Sequence, residues 1–87
     1  MSKYIPTIPI RDLTEVTFCE VIKPKDLTKK LKRACKNGNN YQDKYEIVFA
    51  TDNGQMKIYT TIWMVGKEFI LLKENIYIPI KSIIALT

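Results

Sequence analysis

The chain predicts a mostly β protein of the α+β class: a small, five-stranded, antiparallel and partly open barrel carrying one amphipathic, basic helix. Three observations point there. Over 44–87, short apolar runs alternate with turn signals, as KYEIVFAT, DNG, QMKIYTTIWMV, GKE, FILLKEN and IYIPIKSIIAL, the pattern of strands joined by tight reversals. Ahead of them, PKDLTKKLKRACK places Leu27, Leu31, Ala34 and Cys35 at i, i+4, i+7 and i+8, one apolar stripe on a helix. Finally, 87 residues make one domain, and five short strands with one helix are too little for two full sheets packed as a sandwich. A small barrel uses them better.

Taken in order, residues 1–11 read as an extended arm. Pro6 and Pro9 fix φ there and remove two backbone donors, and their PxxP spacing formally matches a proline-rich ligand. TEVTFCEVI at 14–22 is rich in β-branched and aromatic residues and reads as a first strand, with a short helix starting near Asp12 as the alternative. The helix is expected over 24–37. Pro24 suits its first turn, Asp26 can cap it, and Asn37-Gly38 supplies the left-handed residue that commonly ends a helix. NGNNYQ then reads as a polar loop.

In the sheet region, Tyr45, Ile47 and Phe49 share one face of their strand. Asp52-Asn53-Gly54 carries the strongest hairpin signal, because Asn-Gly tolerates positive φ. In the next strand Met56, Ile58, Ile62 and Met64 fall on one face, and Lys57, Tyr59, Thr61, Trp63 and Val65 on the other. Gly66-Lys67, Glu74-Asn75 and Lys81-Ser82 mark further reversals. Pro79 cannot donate to a ladder and belongs at an edge or where the strand breaks; the apolar stretch 76–80 around it could template a dimer if it is an unpaired edge.

The composition excludes several classes. A hydrophobic content of 46% with 26% charged residues is ordinary for a globular domain, and no apolar run approaches the roughly 18 residues of a membrane span. MSKYIPTIPIRD has no continuous apolar core of a secretory signal, so a cytoplasmic location is expected. In that reducing setting Cys19 and Cys35 are expected to be free, small apolar residues. With no histidine in the chain, two cysteines supply too few ligands for zinc. No nucleophile elbow, phosphate loop or cluster of convergent acids is present, so the expectation is a protein that is not an enzyme and takes no cofactor.

The arm KYIPTIPI, the helix, and the run EIVFATDNGQMKIYTTIWMVGKEFILLKENIYIPIKSIIAL together resemble small Sm-like or Src-homology-three-type barrels. More narrowly they resemble the bacterial Rho-binding antiterminator family, whose members run from a Tyr-x-Pro arm through a helix into strands ending in an Ile/Leu-rich segment. The resemblance rests on turn and apolar positions over the last half of the chain, and it implies the barrel fold. For that family it would also imply an acidic surface docking on a basic partner, whereas the helix here is basic, so no functional residue is carried over.

Charge is the most informative functional signal. Lys23, Lys25, Lys29, Lys30, Lys32, Arg33 and Lys36 stand against the single Asp26, a local balance of +6 in a chain of net +5, which leaves −1 for everything else. Lys25, Lys29, Lys30, Lys32, Arg33 and Lys36 are therefore the candidate macromolecule-binding residues, able to release counterions from phosphates; the alternative is that they only solvate the outer face of a packed helix. Tyr59 and Trp63, with Lys57 beside them, are a second candidate as a base-stacking face, although the same face is the obvious floor for Leu27, Leu31 and Cys35. Two functions are expected: a regulatory or adaptor module binding a protein or nucleic acid, or an RNA- or DNA-binding protein using Lys29, Lys30, Lys32 and Arg33. No membrane partner is expected, and the chain is expected to be a monomer or weak homodimer.

Overall fold

A computed structural model describes residues 5–22, 26–41 and 43–87, with the backbone alone for 38–41. Among these residues a 3₁₀ turn at Ile10–Glu15 is followed by one α-helix, α1 (Leu27–Tyr41). Six strands follow: β1 (Tyr45–Thr51), β2 (Gly54–Thr60), β3 (Ile62–Val65), β4 (Phe69–Leu72), β5 (Ile76–Pro79) and β6 (Ile83–Leu86). They form two antiparallel three-stranded sheets, ordered β2-β1-β6 and β3-β4-β5. The class is mostly β with one helix, as expected. Among the described residues no ladder closes the two sheets into a barrel.

The expected long second strand is broken at Thr61, which separates β2 from β3, and the β3–β4 register shifts between Ile62 and Met64. One residue of shift sends every later side chain to the other face. Across the break Thr60, Thr61 and Ile62 are all buried, and beyond the shift Met64, expected on the inner face with Ile62, is exposed. Elsewhere the alternation holds: Ile47 and Phe49 of β1, Ile58 of β2, Ile70 and Leu72 of β4, Ile78 of β5 and Ile83 of β6 are buried in one core with Leu27, Leu31 and Ala34 of α1. Each such large side chain is worth roughly 1.5–3 kcal/mol on burial.

The expected first strand at 14–22 is not formed. Its start is absorbed by the 3₁₀ turn, where Pro9 has φ −66° and its carbonyl accepts the Asp12 N–H at 3.0 Å. Leu13 from this turn is buried, and the turn packs against β5 and β2. What remains extended pairs only briefly with the far end of β1, through Cys19 N–H to the Ala50 carbonyl and Asp52 N–H to the Thr17 carbonyl, both 3.0 Å. The physical reason is competition for one edge: β6 already occupies the same side of β1 as far as Phe49. Phe18 still reaches the core, with its ring 5.7 Å from that of Phe49.

The arm is laid on the domain: Ile8 N–H donates to the Lys57 carbonyl at 3.0 Å and Lys57 N–H to the Pro6 carbonyl at 2.9 Å, a short parallel bridge on the outer edge of β2. Both ends of α1 depart from expectation. Pro24 lies outside the described residues. Asp26 enters in the left-handed region (φ 62°), and it is its backbone carbonyl that accepts the Lys30 N–H at 3.1 Å. At the other end α1 continues through Asn37-Gly38 to Tyr41, where a polar loop was expected. A glycine inside a helix costs only about 1 kcal/mol relative to alanine, and this turn is tied to the sheet by Asn37 Nδ2, which donates to the Tyr45 hydroxyl at 2.8 Å.

Two turns show what the sequence hides. The β1–β2 hairpin falls where expected, with Thr51 paired directly to Gly54, but its left-handed residue is Gly54 alone (φ 108°). Thr51 Oγ1 braces it, donating to the Gly54 carbonyl at 2.7 Å and accepting the Asn53 N–H at 3.2 Å. Between β4 and β5 both Glu74 (φ 68°) and Asn75 (φ 60°) are left-handed. Asparagine tolerates that region and glutamate does so rarely.

Candidate nucleic-acid interface

The helical period sorts α1 into two faces. Leu27, Leu31 and Ala34 turn inward, while Lys29, Lys30, Lys32, Arg33 and Lys36 are all exposed. None of these five cations has an ion-pair partner among the described residues, where the one salt bridge joins Lys57 Nζ to Glu46 Oε2 at 3.7 Å. Lys25 and Lys23 lie outside the described residues. α1 packs chiefly on β3 and also touches β6, so its axis lies across the two sheets with the charged face outward.

At one flank of α1, Lys30, Arg33 and Ala34 line a hollow of about 130 Å³ with Tyr45, Leu86 and Thr87. Tyr45 forms its floor and is held there by Asn37. At the other flank the Cys35 thiol donates to the Trp63 carbonyl at 3.2 Å. Trp63 itself is 42% exposed, and its neighbour Ile62 is fully buried in the core that holds Leu27 and Leu31. Cys19 and Cys35 are each half-buried, and no disulfide joins them.

Tyr59 and Trp63, expected on one strand, fall on two, β2 and β3, in different sheets. The break at Thr61 separates the two aromatics, and Lys57 is engaged by Glu46. Tyr59 is 61% exposed and stands in a cleft of about 250 Å³ walled by the arm residues Thr7 to Ile10 and by Lys44, Thr60, Lys73 and Glu74. Lys44 and Lys73 were not singled out from the sequence. Each is an isolated lysine beside a strand end, and only the folding of the arm and of the β4–β5 turn toward β2 brings them to Tyr59.

A different surface lies on the outer face of β3-β4-β5. The register aligns Met64, Leu71 and Tyr77 in one row and Phe69 with Pro79 in the next. Met64, Phe69 and Tyr77 are exposed, and the Phe69 and Tyr77 rings meet edge to face at 6.3 Å. Beside Phe69 and Pro79 a hollow of about 440 Å³ has a rim of mixed charge, Glu20 and Glu68 with Lys67 and Lys81. Among the described residues there is no group of three or more His, Cys, Asp or Glu placed to hold a metal ion, and no helix is long and apolar enough to cross a membrane.

Comparison with known proteins gives no relative from which a function can be transferred: no family model, no curated protein and no solved structure matches this chain.

Proposed function

We propose that this chain is a small non-enzymatic binding module whose basic helix α1 engages the phosphates of a nucleic acid. The observation that carries this reading is the outward face of α1, five exposed cations with no ion-pair partner among the described residues. Lysines that merely solvate a helix are commonly interleaved with carboxylates at i+3 or i+4; here 27–41 contains no acidic residue. A phosphate backbone supplies the missing anions, with counterion release as the driving force. The small-barrel reading, Sm-like or Src-homology-three-type, belongs to the same proposal. Its support is that β2 runs into β3 through Thr61, so that β6, β1, β2–β3, β4 and β5 can be read as one strongly bent five-stranded sheet.

The test is fluorescence anisotropy with labelled oligonucleotides across a salt series. Binding that weakens as salt rises, and is lost in the Lys29→Gln, Lys30→Gln, Lys32→Gln, Arg33→Gln variant, supports the proposal. Absence of binding at low salt removes it.

A second reading, a protein-binding adaptor or weak homodimer, is favoured by the outer face of β3-β4-β5, where Met64, Phe69 and Tyr77 lie exposed together. Association through that face would strengthen with salt, because it buries apolar surface, and light scattering at high concentration detects it. A strict monomer that captures no protein excludes it.

A further inference from the structure

Resting on the nucleic-acid reading, we propose that the preferred ligand is single-stranded, and that one unpaired base stacks on Tyr59 while Lys44 and Lys73 take the flanking phosphates. The geometry that points there is the end of the β1–β2 ladder that two depressions share. The hollow beside Lys30 and Arg33 is lined by Tyr45, and the Tyr59 cleft is lined by Thr60. Tyr45 and Thr60 are direct register partners at that end of β1 and β2, and Tyr59, paired with Glu46, turns to the opposite face of the ladder. A strand whose phosphates lie on Lys30 and Arg33 reaches the cleft by passing round this end of the ladder beside Lys44, which precedes Tyr45 and lines the cleft.

The chemistry inside the cleft suits a base with its backbone. Tyr59 presents an aromatic ring that is 61% exposed, and every base has a π-face on which to stack. Lys44 and Lys73 have no ion-pair partner among the described residues. Glu46, the register partner of Tyr59, has its charge met by Lys57 at 3.7 Å. The group that opposes a phosphate is Glu74, which lines the same cleft beside Lys73; its removal is expected to tighten binding.

Single-strandedness follows from reach. In a duplex the bases are paired and stacked inside, so a tyrosine in a cleft walled by the arm cannot meet a base face. An unpaired base can be splayed into it.

The experiment compares a labelled oligo-dT and a duplex of equal length by anisotropy, over a salt series, with wild type, Tyr59→Ala, Tyr59→Phe, the double variant Lys44→Gln/Lys73→Gln, and Glu74→Gln. Wild type is expected to prefer the single strand. Tyr59→Ala is expected to weaken single-strand binding about tenfold with the salt slope and duplex binding unchanged, and Tyr59→Phe to restore it. The lysine pair is expected to flatten the single-strand salt slope by about 1.4, at about 0.7 per phosphate contact, and Glu74→Gln to tighten binding. Because Tyr59, Lys44, Lys73 and Glu74 are exposed, circular dichroism is expected to report an unchanged fold for each variant. Equal affinity for both forms, or a Tyr59→Ala variant that binds oligo-dT like wild type, overturns this inference while leaving the helix reading intact. Loss of all binding to both forms in the wild type overturns the two together.

Discussion

Helix α1 and the outer face of β3-β4-β5 are both exposed surfaces, and they differ in how they relate to the core beneath. On α1, residues at 1% exposure or less (Leu27, Leu31 and Ala34) alternate with five solvent-facing cations, so anchoring and charge occupy opposite sides of the same turns. On the sheet, Ile70, Leu72 and Ile78 are fully buried, while their strand neighbours Phe69 and Tyr77 leave about half of each side chain in water. Both surfaces are thus held by residues that do not themselves face solvent. What separates them is the force each offers a partner: unpaired positive charge, screened by salt, against apolar area, which salt does not weaken. Folding and binding should accordingly come apart under substitution.

The largest effect is expected from the anchoring side. Leu31→Ala removes a fully buried side chain shared by helix and sheet and is expected to cost about 2–5 kcal/mol in chemical denaturation. Lys32→Gln, one residue further along, is expected to leave the denaturation midpoint unchanged while flattening the salt dependence of nucleic-acid binding. If Lys32→Gln also lowered the midpoint, the two sides of the helix would not be separable. Along the boundary between them, Asn37→Ala removes the 2.8 Å bond to the Tyr45 hydroxyl and is expected to cost about 0.5–1.5 kcal/mol. A smaller loss would mean that the last helical turn is not anchored through this bond.

Away from the helix, Gly54→Ala separates strain from contact. A Cβ at Gly54 would meet nothing within 4 Å, yet φ is 108°, so a loss of about 1–2 kcal/mol is expected from backbone conformation alone. Ser82→Ala is the smallest and opposite in sign. The Ser82 hydroxyl is fully buried and finds no hydrogen-bond partner among the described residues, so its removal is expected to be neutral or stabilising by up to about 1 kcal/mol. Marked destabilisation by Ser82→Ala would show that this hydroxyl is satisfied in solution.

The parts that were legible in the sequence are those set by local periodicity. The stripe of Leu27, Leu31 and Ala34, the inward set Ile47 and Phe49, the hairpin at Gly54 and the edge position of Pro79 follow from spacing and residue type, with no knowledge of neighbours. What could not be read depends on competition between distant segments. TEVTFCEVI has strand-forming residues, but β6 holds the β1 edge it would need. Met64 changes face because the β3–β4 register slips between Ile62 and Met64, and nothing in TTIWMV marks the residue at which it does so. Glu74 adopts a left-handed backbone that its side chain disfavours, imposed by the span between Leu72 and Ile76.

The candidate site divides the same way. The cations of α1 stand in one sequence run, so their exposure could be anticipated from the helical period. Tyr59 was visible as an aromatic, but its cleft was not, because Thr7, Lys44 and Lys73 come from three distant parts of the chain. Trp63 shows the converse: a large aromatic in the longest apolar stretch suggested a buried floor, and it lies beside Cys35 of the helix with 42% of its surface exposed.

The measurement closest to the central claim is the salt dependence of single-strand binding in wild type and in the Lys29→Gln, Lys30→Gln, Lys32→Gln, Arg33→Gln variant, made on protein shown by circular dichroism to be folded. If the four cations lie on phosphates, affinity falls with salt in the wild type, and the slope of log K against log salt in the variant is shallower by about 2.8, at about 0.7 per contact on a single strand. A wild type that binds no oligonucleotide at low salt, or a variant whose slope equals that of the wild type, would contradict the assignment of α1 as the binding face.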